Sequence, residues 1–218
     1  MKKKIIVYGI GDFAKLLSIY LKEEYEIVCY TVEKAYFQTN IFLDKPVIPF
    51  EDIEKFFKPD HYSFFVAIGY TQVNKIRERI VQEVKSKNYH LVSYVHPSSK
   101  ISNDVEIKEN TFVFENVVIQ PFSRCEENII IWSNATICHD CIIEKNCFIG
   151  SNACINGFVK INRNTFIGAN ATIRNNITIG EYNIIGAGCT ILSNTCSNSV
   201  YKSLEINRLD IAPEKIII

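Results

Sequence analysis

His139 is the only histidine after His96, and it stands in Ile137-Cys138-His139-Asp140-Cys141, between two thiols and beside a carboxylate. Two chemistries use such a set. A free imidazole titrates near ~6.5 and can take a proton from an attacking amine or hydroxyl, whereas a histidine with two cysteines can hold zinc. A second constellation lies near the N-terminus. There Gly9-Ile10-Gly11-Asp12-Phe13-Ala14 follows the apolar run Ile5-Ile6-Val7-Tyr8 and opens an amphipathic stretch to about Lys22, with Glu33 further on. Strand, glycine turn and helix in that order form a phosphate cradle, because the first turn of a helix has unpaired N–H groups. Gly69 and Arg77 follow a later strand at the same sheet edge, where Arg77 either meets a phosphate or lies on a solvated helix face.

The choice between base and metal ligand depends on what positions His139. From Ile101 to Ile191 every sixth residue is aliphatic, with Cys125 the one exception, whereas the column two residues later contains no Ile, Val or Leu. Richness in isoleucine alone cannot produce that contrast. The column four residues after each aliphatic is mostly small or β-branched (Ala135, Cys141, Cys147, Ala153, Val159), and the one between is rich in asparagine (Asn110, Asn128, Asn146, Asn164). Asparagine tolerates the left-handed conformation of a tight corner. Two inward columns separated by a corner resemble the hexapeptide repeat of left-handed parallel β-helix proteins, in which three hexads make an eighteen-residue coil. The aliphatic block then spans five coils.

Sorted by coil, two of the three corner ladders are nearly uniform asparagine. The third reads Asp104, Phe122, Asp140, Phe158, Asn176, Asn194, and rule-breaking concentrated on one edge marks a functional edge. His139 occupies that edge, facing solvent by phase, and Gly157 lies one coil on, at a strand spacing of about 4.8 Å. An imidazole beside an open glycine N–H suits acyl transfer, the ring taking a proton and the N–H receiving the oxyanion, with Asp140 folding back to orient the ring. The zinc reading fails on phase: Cys141 belongs to an inward column and His139 points out.

Residues 1 to about 95 alternate strand and helix: strands at Glu26 to Thr31, near Pro46 to Pro49 and at Ser63 to Ile68, then a helix from about Val73 to Lys87. We therefore expect two domains, 1–95 an α/β unit with a small Rossmann-like parallel sheet and 96–218 a left-handed β-helix with an irregular C-terminal tail. An α/β unit this short supplies half of a doubly wound dinucleotide fold, which favours a nucleotide-sugar pyrophosphate over NAD. Lys+Arg and Asp+Glu both total 24, so no global field draws the chain to nucleic acid or to an acidic membrane. Met1-Lys2-Lys3-Lys4 has the charge of a signal peptide, but the apolar run stops at Ile10, and we expect a cytoplasmic protein. The eight cysteines fall largely in inward columns and read as small buried thiols.

The Gly9-x-Gly11 unit, the Val95-His96-Pro97-Ser98 junction and the Ile137-x-His139-Asp140-Cys141 corner together resemble the sugar acetyltransferases of the sialic acid O-acetyltransferase and bacillosamine-pathway N-acetyltransferase type. The resemblance implies His139 as general base, Asp140 as its assistant and Gly157 as oxyanion donor. It also implies a homotrimer with acetyl-CoA, and no metal, in the groove between neighbouring solenoids, with Phe148, Gly168, Ala169, Gly186 and Ala187 along that groove. The acceptor, a nucleotide-linked or free sugar, is then held by Gly9, Gly11, Asp12, Phe13, Glu33, Gly69 and Arg77. Three readings remain open: N-acetylation of a nucleotide-linked amino sugar, O-acetylation of a sugar hydroxyl, and a non-catalytic sugar-nucleotide-binding scaffold. Carbonic anhydrases share this helix type but need several histidines, and the other three precede the solenoid. The chain departs from the family at Ser193-Asn194-Thr195-Cys196, where a Gly-Asn-Pro-Ala-like turn is usual, and at Thr31-Val32-Glu33, where paired aspartates are frequent.

Overall fold

The computed structural model describes residues 2–203; the end of the expected C-terminal tail, 204–218, lies outside them. The N-terminal domain is built from β1 (Lys3–Tyr8), α1 (Asp12–Glu24), β2 (Tyr25–Val32), β3 (Ile41–Phe42), β4 (Lys45–Pro49), α2 (Ile53–Phe56), β5 (Ser63–Val66), α3 (Lys75–Ser86) and β6 (His90–Leu91). Its sheet runs β3-β4-β2-β1-β5-β6 and is parallel except for the β3–β4 pair. Ile5 to Tyr8 of β1 and Phe64 to Val66 of β5 are continuously apolar and buried because the sheet is covered on both sides. On one side Ile6, Phe64 and Val66 pack with Ile80 and Val84 of α3, and on the other Val7 and Phe65 pack with Leu17 and Leu21 of α1.

From Tyr94 the chain coils into a triangular prism of two-residue strands. Its first face holds seven strands from Tyr94–Val95 to Val200–Tyr201, its second six from Lys100–Ile101 to Thr190–Ile191, and its third four from Arg124–Cys125 to Thr178–Ile179. Every strand pair is parallel at an offset of eighteen residues in the repeating block, as between Ile131 and Ile149 or Ile137 and Ile155. Both inward columns fill one continuous core, including Cys125, Cys141 and Cys147. The corners turn through left-handed residues: Asn110, Asn128, Asn146 and Asn164 have φ between 51° and 64°.

The first face is covered by the N-terminal domain. Its outward residues Phe112, Ile130 and Phe148 join the same apolar cluster as Leu17 and Phe65, so what would be a solvated solenoid face is an interdomain core. The asparagine corner between the third and first faces is buried with it. Asn110, Asn128, Asn146 and Asn164 hydrogen-bond side chain to side chain down the ladder at 2.8, 2.8 and 3.2 Å, and the Val66 N–H donates to Asn110 Oδ1 at 2.7 Å. The docking leaves the corner between the second and third faces, which carries His139, on the opposite edge of the prism.

Candidate active site

Left-handed backbone recurs along the His139 edge at Phe122 (φ 65°), Asp140 (56°), Phe158 (60°) and Asn176 (59°). For a bulky L-residue that conformation costs about 1 kcal/mol, and the two phenylalanines are also exposed, at 72% and 54%. His139 precedes the turn residue, so its side chain leaves the prism and stays half exposed. Its Nδ1 lies 2.9 Å from Asp140 Oδ2. An ionised carboxylate only accepts, so Nδ1 carries the hydrogen, and in the neutral ring the lone pair is then on Nε2. The backbone N–H of His139 donates to Gln120 Oε1 at 3.0 Å.

The imidazole lies flat against Gly157. A Cβ on that residue would sit 2.8 Å from His139 Cε1 and 2.9 Å from Nε2, so glycine is what lets the ring approach the next coil. Among the described residues the Gly157 N–H has no hydrogen-bond partner, although its carbonyl accepts from Asn176 at 3.0 Å. The edge of the site is closed by Phe158, T-shaped to the imidazole at 5.2 Å. A cleft of about 370 Å³ opens here, and Gln120, Asn156, Asn175 and Asn176 supply its polar lining. Cys141 faces the interior, its Sγ donating to the Asn156 carbonyl at 3.1 Å, and no cluster of metal-ligating side chains occurs among the described residues.

The N-terminal residues expected to bind the acceptor converge, with one exception. Gly9, Gly11, Asp12, Phe13, Glu33 and Gly69 line a cavity of about 450 Å³ at the carboxyl edge of the sheet. Gly9 has φ 124° and approaches the Ala67 carbonyl so closely that a Cβ would lie 2.9 Å from it. The helix α1 starts at Asp12 with no side-chain cap, leaving its first N–H groups directed at the cavity. Glu33 is paired bidentately with Arg79 at 2.8 and 3.0 Å, and that guanidinium holds its carboxyl below the usual range.

Arg77 is the exception, and both readings of it are corrected. It is neither at a phosphate nor on a solvated face but fully buried between the domains. Its guanidinium donates to Gly69 O, Asn128 O and Oδ1, Asn146 O and Cys147 O at 3.0 to 3.2 Å. Burial pushes its pKa down to about 9, which leaves it cationic at neutral pH. The signal was present in the sequence: Arg77, Ile80, Val81 and Val84 share one helix face, and all four are buried. Arg79, two residues on, faces the cavity instead.

Phe148 is likewise corrected. Only 5% exposed, it packs between Phe166 at 5.2 Å and Tyr70 at 5.1 Å under the N-terminal domain, because from Phe112 to Phe166 the residue before the inward aliphatic on the first face points at that domain. Gly168, Ala169, Gly186 and Ala187 lie at the corner between the first and second faces, one full face from His139. There the coils approach closely enough that a Cβ on Gly168 would be 2.5 Å from the Ala187 nitrogen. The same corner carries Trp132, which stacks on Phe13 at 6.2 Å and so ties the N-terminal cavity to this edge. The sequence reading missed Arg79, Gln120, Asn156 and Asn175, which have no periodic signature. No helix among the described residues is long and apolar enough to cross a membrane.

Comparison with known proteins agrees with this architecture. Residues 4–84 match the family model of the PglD N-terminal domain, and residues 91–200 match that of the GMPPB C-terminal domain. None of the curated proteins matches the chain. Among solved structures, the acetyltransferase domain of PglB from Neisseria gonorrhoeae superposes with a TM-score of 0.79 at 23% identity, over 91% of this chain and 96% of that one. PerB from Caulobacter crescentus, in complex with CoA and GDP-perosamine, gives 0.80 at 24% identity over 90% and 92%. WeeI from Acinetobacter baumannii gives 0.75 at 19% over 91% and 96%. These likenesses establish the fold, a Rossmann-like domain on a left-handed β-helix. With half of its length in that match, the chain belongs to the GMPPB C-terminal domain family, preceded by a domain of the PglD N-terminal type.

Proposed function

We propose that the protein transfers acetyl from acetyl-CoA to the amino group of a nucleotide-linked amino sugar, with His139 as general base. The observation that carries the reading is the His139–Asp140 pair lying against Gly157, whose N–H has no partner among the described residues, in a cleft lined by amides. His139 Nε2 takes a proton from the amine as its nitrogen attacks the thioester carbonyl. Asp140, holding Nδ1–H, stabilises the imidazolium that forms. The Gly157 N–H receives the oxyanion, and collapse expels the thiolate of coenzyme A, which the imidazolium protonates. The N-terminal cavity, with a free helix N-terminus and Arg79, suits a pyrophosphate and its nucleoside. PglB's acetyltransferase domain has been solved with acetyl coenzyme A, and PerB with CoA and a GDP-sugar; both support the reading.

The same reading extends to the assembly. The acceptor cavity and the His139 cleft share no lining residue, which supports a site shared between copies, with a sugar held in the first meeting a His139 of another copy. A homotrimer with Gly168, Ala169, Gly186 and Ala187 of one copy facing the His139 edge of the next supplies both the acceptor and the coenzyme groove. An acetyl-CoA substrate supports a cytoplasmic setting for the reaction. The test is thiol release from acetyl-CoA with UDP-, dTDP- and GDP-linked amino sugars and sialic acid, wild type beside His139→Ala. Turnover on an amino sugar that falls on the order of a hundredfold in the variant is the expected result. Activity confined to a hydroxyl acceptor moves the assignment to O-acetylation, and turnover indifferent to His139 removes the general base.

A further inference from the structure

Phe158 is a poor residue for the place it occupies. Its backbone is left-handed, at φ 60°, where most corners of the prism use asparagine, and its ring is 54% exposed. Local preference and solvation both oppose it, so the ring answers to something other than folding. What it touches is the base: the Phe158 ring stands perpendicular to the His139 imidazole at 5.2 Å, and the Phe158 N–H donates to the His139 carbonyl at 3.1 Å. Asparagine at this corner would keep the main-chain bond and lose only the ring.

His139 needs such a contact. Its side chain is half exposed, and a half-exposed imidazole on two rotatable bonds samples several rotamers. Asp140 restrains it at Nδ1, and Gly157 provides a flat floor close under Cε1 and Nε2. Neither closes the outer side of the cleft. Phe158 does, being both in the cleft lining and against the ring edge.

We propose that Phe158 is a positioning residue that holds the His139 imidazole flat on Gly157 in the reactive rotamer. The role rests on the acetyl-transfer reading of the same cleft. An aromatic contact of this kind shifts a rotamer equilibrium by roughly three- to tenfold, and because it acts through the base it governs turnover and not substrate affinity.

The test compares wild type, Phe158→Asn and Phe158→Tyr for kcat, both KM values and melting temperature, with acetyl-CoA and the amino-sugar panel. The expected result is a kcat about three- to tenfold lower in Phe158→Asn, KM values within about twofold, a melting temperature no lower than wild type, and near-normal kcat in Phe158→Tyr. An active wild type matched by Phe158→Asn overturns the positioning role alone, as does a rise in KM at unchanged kcat, which would make the ring a substrate contact. A lowered melting temperature with no rescue by tyrosine marks a structural residue and also overturns it. A wild type that releases no coenzyme A overturns the transferase reading, and the positioning role with it.

Discussion

Replacing Gly157 by alanine moves the base without touching it. The new Cβ would lie 2.8 Å from His139 Cε1 and 2.9 Å from Nε2, against the 3.4 Å at which ordinary contact begins. The ring must therefore retreat by about 0.6 Å or rotate away, since a carbon pair pressed inside contact distance is repelled steeply. Retreat is easy, because His139 is half exposed, but it stretches the 2.9 Å bond to Asp140. Gly157 has no positive φ, so alanine fits its backbone, and the smaller unfolded-state entropy favours folding by about 0.4–1 kcal/mol. The N–H that receives the oxyanion is retained, so the variant tests the position of the base and not the donor. Misplacement of a reacting group by about 1 Å costs on the order of a hundredfold, and we expect kcat to fall between about tenfold and a hundredfold at an unchanged or raised melting temperature. Coenzyme A release and a thermal melt on one preparation measure both. Full turnover with an unchanged melt would show that the reaction does not need the imidazole where the structure puts it.

Asp140→Asn should lower kcat by at least about tenfold, since an amide can also donate and no longer fixes the Nδ1–H tautomer; its melting curve should stay close to wild type because the side chain is about a third exposed. Arg77→Ala removes the donor to four carbonyls and an amide oxygen in the buried interdomain layer, a loss of about 3–5 kcal/mol. Roughly 10 °C should be lost from the melting temperature, and a shift of only a degree or two would contradict the buried network. Thiol titration at pH 8 should find Cys196 reactive in the native protein, because it is exposed. Burial pushes Cys29, Cys125 and Cys147 up to about 12, so they should react only on unfolding; fast native labelling of Cys147 would refute the packing of the prism core.

The prism was legible in the sequence because its physics is local and repeated. Each inward aliphatic stands six residues from the next, each corner asks for a left-handed residue, and Phe122, Asp140 and Phe158 stand out on one edge by departing from that rule. Stacking at eighteen residues then brings His139 over Gly157 without any knowledge of side-chain packing, and the glycine turn of β1 and α1 announces its own cavity. What the sequence could not decide was which solenoid face the N-terminal domain covers. That choice depends on two separately folded surfaces meeting, and it turned Arg77 from a phosphate ligand into an interdomain bolt and Phe148 from a groove residue into core. It also put the acceptor cavity and the base at different edges of the prism, because contacts between residues far apart in sequence are determined by the docking of whole faces and leave no period to read.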